Sequence, residues 1–356
     1  IDKTFGDLLS NTADAPLVAL ILPAMELGED IHIDGKVSEK LLYNLTGPFQ
    51  KLLQKIIPSL HQIKIYPSEI YTEEKAPKLS VAMGFSGGVD SYSALADFYY
   101  TNPLKGLKVT HLLFNNVGSH GRGGEQLFRK RYEQLKPAVG HLKLPLLLIN
   151  SNLDAFYSKK LHFEQTHTLR NASVAHLLKG GIGHFMYAST YSYADLFVGQ
   201  SGDTAYCDPF ILPILSTNSI DVFSIGSEYS RVEKTLSVAQ LPDSYKALDV
   251  CVNPNNTSGF INCSACFKCL RTMATLEIAD RLDLYNLVFN IDTYKKIRRQ
   301  YFVKLLNSND PLMKEIVEFG RKKNYPFPLS AKLIKASRIY SMINLLKRIN
   351  RKLKFS

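Results

Sequence analysis

Phe85-Ser86-Gly87-Gly88-Val89-Asp90-Ser91 is the stretch of this 356-residue chain from which the fold can be argued. An apolar run from Leu79 to Phe85 precedes the two glycines, and an apolar-periodic run that includes Tyr92 and Leu95 follows them. This order predicts a strand, a tight turn and the start of a helix. Two consecutive glycines let the backbone turn sharply and come close to a ligand.

The residue types in this turn suit a polyphosphate ligand. Backbone N–H groups at the start of a helix face outward, with the positive end of the helix dipole behind them. Ser86 and Ser91 add hydroxyl donors, and Asp90 adds a carboxylate that can hold Mg²⁺. The turn lacks the Gly-Lys-Ser/Thr ending of a Walker-type loop. Its Ser-Gly-Gly-x-Asp-Ser order instead resembles the PP-loop of the N-type ATP pyrophosphatases, which cleave ATP between the α and β phosphates.

Four of the five cysteines lie within nineteen positions and form a C-x11-C-x2-C-x2-C pattern: Cys251, Cys263, Cys266 and Cys269. Thiolates at this spacing can close a tetrahedral site around zinc, with no position left open for catalysis. An iron–sulfur cluster is the alternative, because C-x2-C-x2-C also opens the bacterial ferredoxin pattern. That pattern continues toward a fourth cysteine, whereas Leu270 and Arg271 follow here, which favours zinc. Cys207 stands apart and is predicted to be a buried apolar residue.

A PP-loop near the start of an α/β region and a cysteine knuckle near its end together resemble the 7-cyano-7-deazaguanine synthase family. In that family ATP activates a carboxylate as an adenylate, ammonia converts it through an amide to a nitrile, and the knuckle binds structural zinc. Arg170-Asn171 is similar to an Arg-Asn pair of the family. Lys234 lies near the position of a family lysine that reaches the ATP phosphates. The resemblance covers residues 79 to 280 at the level of motifs.

The departures from this family concern the substrate rather than the ATP chemistry. Long segments precede residue 79 and follow residue 280, and the first cysteine gap is longer than the family pattern leads us to expect. A deazapurine pocket cannot be matched residue by residue. The chain therefore resembles a divergent branch of synthase-like proteins, and the resemblance implies adenylation without identifying the acid.

Three regions are predicted along the chain. The first, residues 1–75, is a small α+β region whose elements are strands at Leu17–Leu22, Ile31–Ile33 and Gln62–Tyr66, a helix at Ser38–Ile57 and a linker over 71–78. The second, residues 76–284, alternates strand and helix as parallel α/β domains do and contains the knuckle at 251–269. The third, residues 285–356, is predicted to be a helical, basic extension.

The 76–284 region is predicted to be an α/β domain with a doubly wound, five-stranded parallel sheet. Its predicted strands are Leu79–Phe85, Val109–Asn115, Leu144–Ile149, Asp195–Gly199 and Asp221–Ile225. Its predicted helices are Ser91–Tyr100, Gly124–Val139, Arg170–Tyr191, Ser230–Val238 and Cys266–Ala279. The family resemblance implies the adenine-nucleotide alpha-hydrolase-like (HUP) fold for this domain.

Ligands of such sheets bind at the carboxyl ends of the strands. The turn and the end of the second strand therefore predict these ATP contacts: Ser86, Gly87, Gly88, Val89, Asp90, Ser91 and Asn115. The resemblance adds Arg170, Asn171 and Lys234. Arg231 and Lys234 lie one helical turn apart, so both can face one phosphate site, with an exposed charged face as the alternative. Catalytic roles are predicted for Asp90, Arg231 and Lys234.

Three further loop residues have two interpretations each. His120, in a glycine-rich loop, is either a substrate ligand or a solvated turn residue. Asp203 and Asp208 are either active-site carboxylates or helix caps, and capping is at least as well supported by their positions.

The net charge of +11 is distributed unevenly, because residues 331–356 contain eight Lys or Arg and no Asp or Glu. Apolar residues recur at helical spacing in the same segment: Ile339, Ile343, Leu346, Ile349 and Leu353. A basic amphipathic helix can bind an anionic surface or polyanion. The alternative, a helix that packs its apolar stripe on its own domain, is favoured because it is the ordinary fate of such stripes.

The sequence thus predicts an ATP pyrophosphatase that forms an adenylate and then a C–N bond, with ATP and Mg²⁺ at the loop and Zn²⁺ at the knuckle. Its substrates would be a small-molecule or protein carboxylate and ammonia or another amine. An RNA-modifying PP-loop enzyme that activates a base oxygen is the alternative, which the net charge supports weakly.

No run of eighteen apolar residues occurs, so no transmembrane segment is predicted. ATP dependence and metal-type cysteines predict a cytoplasmic protein, and a homodimer is considered.

Overall fold

The structure is a computed structural model, and it describes residues 1–72, 77–101, 104–121, 124–254 and 257–328. The chain divides into two compact units, of which the first is Ile1–Tyr229 and the second begins at Ser230. The first unit contains the predicted N-terminal region together with the central sheet. The second contains the cysteine knuckle and the helices that follow it. The domain boundaries predicted from the sequence, after residues 75 and 284, stay predictions.

The N-terminal part of the first unit is α+β, and its elements are α1 (Asp14–Leu27), β1 (Ile31–Ser38), α2 (Glu39–Thr46), α3 (Pro48–Ile56) and β2 (Ile65–Tyr71). Strands β1 and β2 pair in parallel in a separate two-stranded sheet. The helix predicted over Ser38–Ile57 is divided at Gly47, which lies between α2 and α3 with non-helical backbone angles.

The strand predicted at Leu17–Leu22 is wrong, because these residues lie inside helix α1. Four of its apolar side chains are at most 2% exposed: Leu17, Val18, Ile21 and Leu22. A helix that is buried on most of its sides presents a continuous apolar run rather than a periodic one. A short apolar run alone does not distinguish such a helix from a buried strand.

The central sheet has five parallel strands, as predicted, in the order β5-β4-β3-β6-β7. Its strands are β3 (Val81–Gly84), β4 (His111–Asn116), β5 (Leu146–Asn150), β6 (His184–Ala188) and β7 (Asp221–Ile225). Its helices in the first unit are α4 (Val89–Leu95), α5 (Glu125–Val139), α6 (Phe163–Leu178) and α7 (Asp208–Ile214). The helices and the parallel strands are consistent with a doubly wound α/β fold.

The fourth sheet strand is β6, so the strand predicted at Asp195–Gly199 and the helix predicted at Arg170–Tyr191 are both wrong. Helix α6 begins earlier, at Phe163, and ends before Gly180-Gly181. A Cβ atom at Gly183 would lie 1.9 Å from the carbonyl oxygen of Lys78, so the chain enters β6 in close contact with neighbouring backbone. Gly183 permits this approach, and Gly180 and Gly181 lie where the helix ends.

The strand order places a topological switch point at the middle of the sheet. From β3 the chain passes to β4 and β5 on one side, and then returns to β6, which pairs with β3 on the other side. Ligands of open α/β sheets bind in the crevice beyond the carboxyl ends of strands at such a point. A ligand-binding site is therefore expected at the loops that follow β3 and β6.

The second unit is helical, with α8 (Arg231–Val238), α9 (Phe267–Ile278), α10 (Ile291–Leu306) and α11 (Pro311–Lys322). Its buried core includes Val232, Ala274, Phe302 and Ile316. These helices confirm the helical prediction as far as residue 322. The basic helix predicted at 331–356 lies outside the described residues. Within the part of the chain that is described, no helix has the length and apolar character needed to cross a bilayer.

Candidate active site and metal centre

The Ser86–Ser91 loop lies directly after β3, the central strand, and leads into α4. Gly87 adopts φ +76°, a left-handed conformation that favours glycine. The hydroxyl of Ser91 donates to the Gly88 carbonyl at 3.0 Å, and the Gly88 amide lies 3.4 Å from Ser86 Oγ. The Ser86 side chain is exposed. The strand, turn and helix predicted from the sequence are confirmed at this point.

Asp90 lies in the first turn of α4 and is half-buried. The helix continues beyond Leu95 as a π-helical turn through Tyr100. The negative charge of Asp90 is close enough to Tyr187, on neighbouring strand β6, to contribute to a raised pKa of that phenol. Strand β6, which carries Tyr187, pairs with β3, the strand that leads into the turn containing Asp90.

Two of the predicted ATP-binding residues, Asn115 and Asn171, contact each other. The Nδ2 of Asn115, at the end of β4, donates to Oδ1 of Asn171 on α6 at 3.1 Å. Asn171 in turn donates to the carbonyl of His167 at 2.8 Å. The Oδ1 atom of Asn115 is buried and has no hydrogen-bond partner within the ranges that the structure covers. An acceptor in that position is suited to a ligand donor.

Arg170, also predicted to bind ATP, is 2% exposed and sits in the middle of α6. Its Nη1 donates to the carbonyl of Val117 at 3.0 Å and to Oδ1 of Asp154 at 2.9 Å. The guanidinium lies 3.7 Å from the ring centroid of Tyr157, in cation–π contact. These bonds hold the loop after β4 against α6.

Gly118 makes the close approach of Arg170 possible. Its φ is +109°, and a Cβ atom at this position would lie 2.1 Å from Arg170 Nη1. The loop after β4 therefore depends on a glycine next to a buried arginine. This arrangement gives Arg170 a positioning role for the loop that follows β4 and carries His120.

A chain of three polar side chains lies beside the loop after β3, and the sequence analysis missed two of them. The hydroxyl of Tyr187, near the end of β6, lies 2.7 Å from Nδ1 of His167 on α6. His167 Nε2 lies 3.2 Å from Oδ1 of Asp203. Because a carboxylate oxygen only accepts, Nε2 carries a proton, and in the neutral imidazole Nδ1 accepts from Tyr187. We call these three residues the Tyr–His–Asp chain.

A second carboxyl group, Asp208, lies beneath the Tyr–His–Asp chain and is fully buried. Its Oδ1 accepts from Thr168 Oγ1 at 2.6 Å, while its Oδ2 has no partner among the described residues. Burial raises the pKa of Asp208 to about 6, against the opposing effects of His167 and Thr168. Asp203 also accepts from the amide of Ala205 at 2.9 Å, so its capping role is confirmed.

The titration of the Tyr–His–Asp chain is shifted by these surroundings. The pKa of His167 is raised although burial opposes protonation, because the hydrogen bond to Asp203 and the charges of Asp208, Asp203 and Glu164 favour the imidazolium. Burial raises the pKa of Tyr187 well above its usual range. The side chain of His167 is 14% exposed and that of Asp203 is 26% exposed, so the Tyr–His–Asp chain reaches the surface of the site.

His120 has an aromatic environment rather than a solvated one. Its ring lies 5.8 Å from that of Phe114 and 5.2 Å from that of Phe128, and Ser119 Oγ lies 3.0 Å from its Nδ1. Burial, with a contribution from Arg131, lowers the pKa of His120 to about 4. His120 is therefore neutral at pH 7, and its role as a substrate ligand stays a prediction.

Arg231 and Lys234 belong to the second unit, one turn apart on α8. Their side chains are 8% and 2% exposed, so the alternative of an exposed charged face is wrong for both. Ser230 and Glu233 close the start of this helix in a capping box, and the Arg231 amide donates to Glu315 at 2.7 Å. The helix is thus a fixed support for two buried cationic side chains.

The second unit also contains the cysteine knuckle, whose four sulfur atoms all lie within 4.8 Å of one another: Cys251, Cys263, Cys266 and Cys269. The Sγ atoms of Cys263 and Cys269 are 3.9 Å apart, and those of Cys266 and Cys269 are 3.3 Å apart. Thiolates around a tetrahedral zinc are about 3.8 Å apart, given Zn–S bonds of about 2.3 Å. The residues present therefore fit a metal ion such as zinc.

Local backbone features bring these cysteines together. Ser264 adopts φ +59° between Cys263 and Cys266, and its hydroxyl accepts from the Asn290 amide at 2.8 Å. Asn262 is fully buried and bonds Val250, Leu248 and Val288 through its side chain. Hydrogen bonds from neighbouring thiols lower the pKa of Cys266, which favours one thiolate in the group.

Comparison of the chain with protein-family models, with curated proteins and with solved structures finds no match. The predicted loop, asparagine and cysteine residues are brought together by the structure within their own units. Tyr187 was missed because the sequence analysis placed it inside the helix predicted at Arg170–Tyr191. His167 was missed because it precedes that predicted helix and lay in no predicted element. The Gly180-Gly181-Ile182-Gly183 segment was the signal that a helix ends and a strand begins.

Proposed function

We propose that the chain is an ATP pyrophosphatase that adenylates a carboxylic acid and transfers the acyl group to ammonia or another amine. The observation that carries this proposal is the Ser86–Ser91 turn between the central strand and α4, at the switch point of a parallel sheet. A glycine turn in this position suits a polyphosphate, because backbone N–H groups at a helix start attract anions. The specific HUP fold is part of the same proposal.

In this proposal the exposed Ser86 and the glycine amides bind the pyrophosphate portion of ATP. Asp90 would hold Mg²⁺, whose charge neutralises the departing pyrophosphate. Asn115 and Asn171 would bind the nucleoside, since the buried Oδ1 of Asn115 lacks a donor among the described residues. Catalysis rests on positioning and electrostatic stabilisation of the leaving group rather than on a covalent protein intermediate.

The phosphate-binding roles predicted for Arg231 and Lys234 stay predictions, because both residues belong to the second unit. The knuckle of the second unit would hold one structural Zn²⁺, since four protein sulfurs leave no position open for a substrate.

The direct test is acid-dependent exchange of labelled pyrophosphate into ATP, because exchange requires reversible adenylation. Three probes represent the acid classes under consideration: 7-carboxy-7-deazaguanine, galacturonate and a short peptide with a free C-terminal carboxylate. We expect exchange with one of them in the presence of Mg²⁺, and AMP as the product. ADP formation, or no exchange with any probe, would sink the proposal. AMP attached to an RNA base would favour the RNA-modifying alternative.

Asp90→Asn provides the matched variant for this test. Removing one charge-stabilising group lowers a rate by on the order of a hundredfold or more. Asp90 lies in the first turn of α4, half-buried, so the amide should fit with little loss of stability. We expect exchange to be lost while the melting temperature stays near that of the wild type. Wild-type exchange in Asp90→Asn would refute the metal assignment.

A further inference from the structure

We propose that the Tyr–His–Asp chain is a proton relay that takes the proton from the amine as it attacks the adenylated acid. This inference rests on the proposed function and adds the residues for its second half-reaction. Tyr187 would touch the substrate and is the catalytic residue. His167 acts through Tyr187, and Asp203 is a positioning residue for His167.

The position of Tyr187 supports a role at the reacting atoms. Strand β6 pairs with β3 in a register that places Met186 opposite Met83, so Tyr187 is level with Gly84. Gly84 is two residues before Ser86, the first polar residue of the phosphate-binding turn. Both strands end at the switch point, where a ligand of this sheet class binds. Tyr187 is only partly buried, and its pKa responds to Asp90.

The hydrogen bonds of the Tyr–His–Asp chain define the direction of proton movement. Asp203 holds the Nε2–H tautomer of His167, so Nδ1 is left to accept the Tyr187 proton across 2.7 Å. Because the pKa of Tyr187 is raised, a free phenolate is hardly populated at neutral pH, so the phenol proton must leave as another arrives. Asp203, Asp208 and Glu164 then stabilise the imidazolium, because all three raise the pKa of His167.

The two half-reactions differ in their need for this relay. A carboxylate that attacks the α-phosphate of ATP carries no proton to remove. An amine that attacks the acyl adenylate forms a C–N bond, and the C–O bond to phosphate breaks with its electron pair leaving on AMP. The proton of the amine passes to the Tyr187 oxygen while the Tyr187 proton passes to His167 Nδ1. General-base assistance of this kind contributes about 10²–10⁴-fold to a rate.

The test separates the two half-reactions with Tyr187→Phe and His167→Gln. The acid is the probe that supports exchange in the wild type, and the amine is methoxyamine, a weak base that stays unprotonated at neutral pH. We expect both variants to keep wild-type pyrophosphate exchange and to lose amide formation by about 10²–10⁴-fold. Tyr206→Phe is the matched control, because Tyr206 lies nearby but stacks on Tyr191 at 3.7 Å instead.

A pH profile distinguishes the relay from a purely structural role. Amide formation should fall at low pH as His167 becomes protonated. Asp203→Asn removes one of the three carboxylates that raise the His167 pKa, the one hydrogen-bonded to it, so this acidic limb should move to lower pH. If the acidic limb does not move, or if Tyr187→Phe loses exchange and amide formation equally, the relay is overturned and the proposed function is not. Absence of exchange in the wild type would overturn the proposed function and the relay with it.

Discussion

The carboxyl group of Asp208 is fully buried, and its Oδ1 accepts a hydrogen bond from Thr168. Burial raises its pKa from 3.8 to about 6 in the folded protein. The folded state therefore binds this proton more tightly than the unfolded state does. The stability that Asp208 contributes is present below about pH 4 and is lost as the pH rises through about 6.

Asp208→Asn should remove this pH dependence. The amide has the size of the protonated carboxyl group, and its Oδ1 can still accept from Thr168. We expect a free energy of unfolding above that of the wild type at pH 7.5, by on the order of 1–3 kcal/mol, and a flatter profile between pH 4 and 6. Urea denaturation at several pH values measures this.

Asp34→Asn is the matched control for that measurement, because Asp34 is an exposed aspartate on β1. Its substitution should leave both the stability and its pH profile unchanged. If Asp208→Asn instead lowers the free energy of unfolding equally at pH 4.5 and 7.5, the buried carboxyl group is not protonated in the folded protein.

At the scale of elements, the cysteine knuckle supports a prediction about metal and stability. Metal analysis should give about one Zn²⁺ per chain and a colourless protein, and a chelator should lower the melting temperature of the second unit. The reason is that the free energy of metal binding contributes to the folding free energy of such a site, and this contribution is lost once the ion is removed. Cys263→Ser should lose the metal.

Cys207→Ser is the control for the knuckle, because Cys207 is a buried, free thiol of the first unit whose Sγ donates to the Phe197 carbonyl at 2.9 Å. A serine hydroxyl can make the same bond, so metal content should not change. A brown protein with visible absorbance after anaerobic purification would show an iron–sulfur cluster and contradict the zinc prediction.

The elements also show how far the sequence determines this fold. Strand β7 and the turn after β3 were predicted closely, because their apolar runs are bounded by polar residues and glycines. Helix α1 and strand β6 were missed for opposite reasons. The first has buried residues on most of its sides and no period to detect, and the second follows a helix after only five residues. In both cases the local sequence pattern is compatible with a helix and with a strand, and tertiary contacts determine which of them forms.

The candidate site was predictable in its loops and not in its interior. The Ser86–Ser91 turn and the cysteine spacing are local patterns, so the sequence identifies them directly. The Tyr–His–Asp chain joins residues from α6, β6 and the segment before α7. Its members are up to 36 residues apart and share no spacing rule. Only the pairing of β6 with β3 brings them to the carboxyl edge of the sheet.

At the scale of the whole first unit, the N-terminal part is attached to helix α6, which carries His167, Arg170 and Asn171. Apolar residues of α1 and α6 share one core. Tyr157, whose ring lies against Arg170, donates its hydroxyl to the Ala19 carbonyl of α1 at 2.6 Å. The packing of α1 therefore supports the helix from which the candidate site is built.

A buried ion pair joins these parts at the other end of α6. Asp14, at the start of α1, is fully buried and accepts from Lys179 Nζ, from the Tyr71 hydroxyl at 3.1 Å and from the Ser38 amide at 2.9 Å. Lys179 Nζ also lies 2.6 Å from the Tyr71 hydroxyl. The lysine side chain is 4% exposed, so neither charge has much water around it.

Lys179→Met should therefore destabilise the first unit by on the order of 3–5 kcal/mol, because it leaves the Asp14 carboxylate buried without its cation. Adding Asp14→Asn should recover much of this loss, since the amide is neutral and can still accept from the Ser38 amide. The exposed pair Arg129–Glu125 is the control, and Arg129→Met should cost less than about 1 kcal/mol. Urea denaturation of the single and double variants measures the coupling between Asp14 and Lys179. Additive losses would show that the two charges do not stabilise each other, and that apolar packing alone holds α1 on α6.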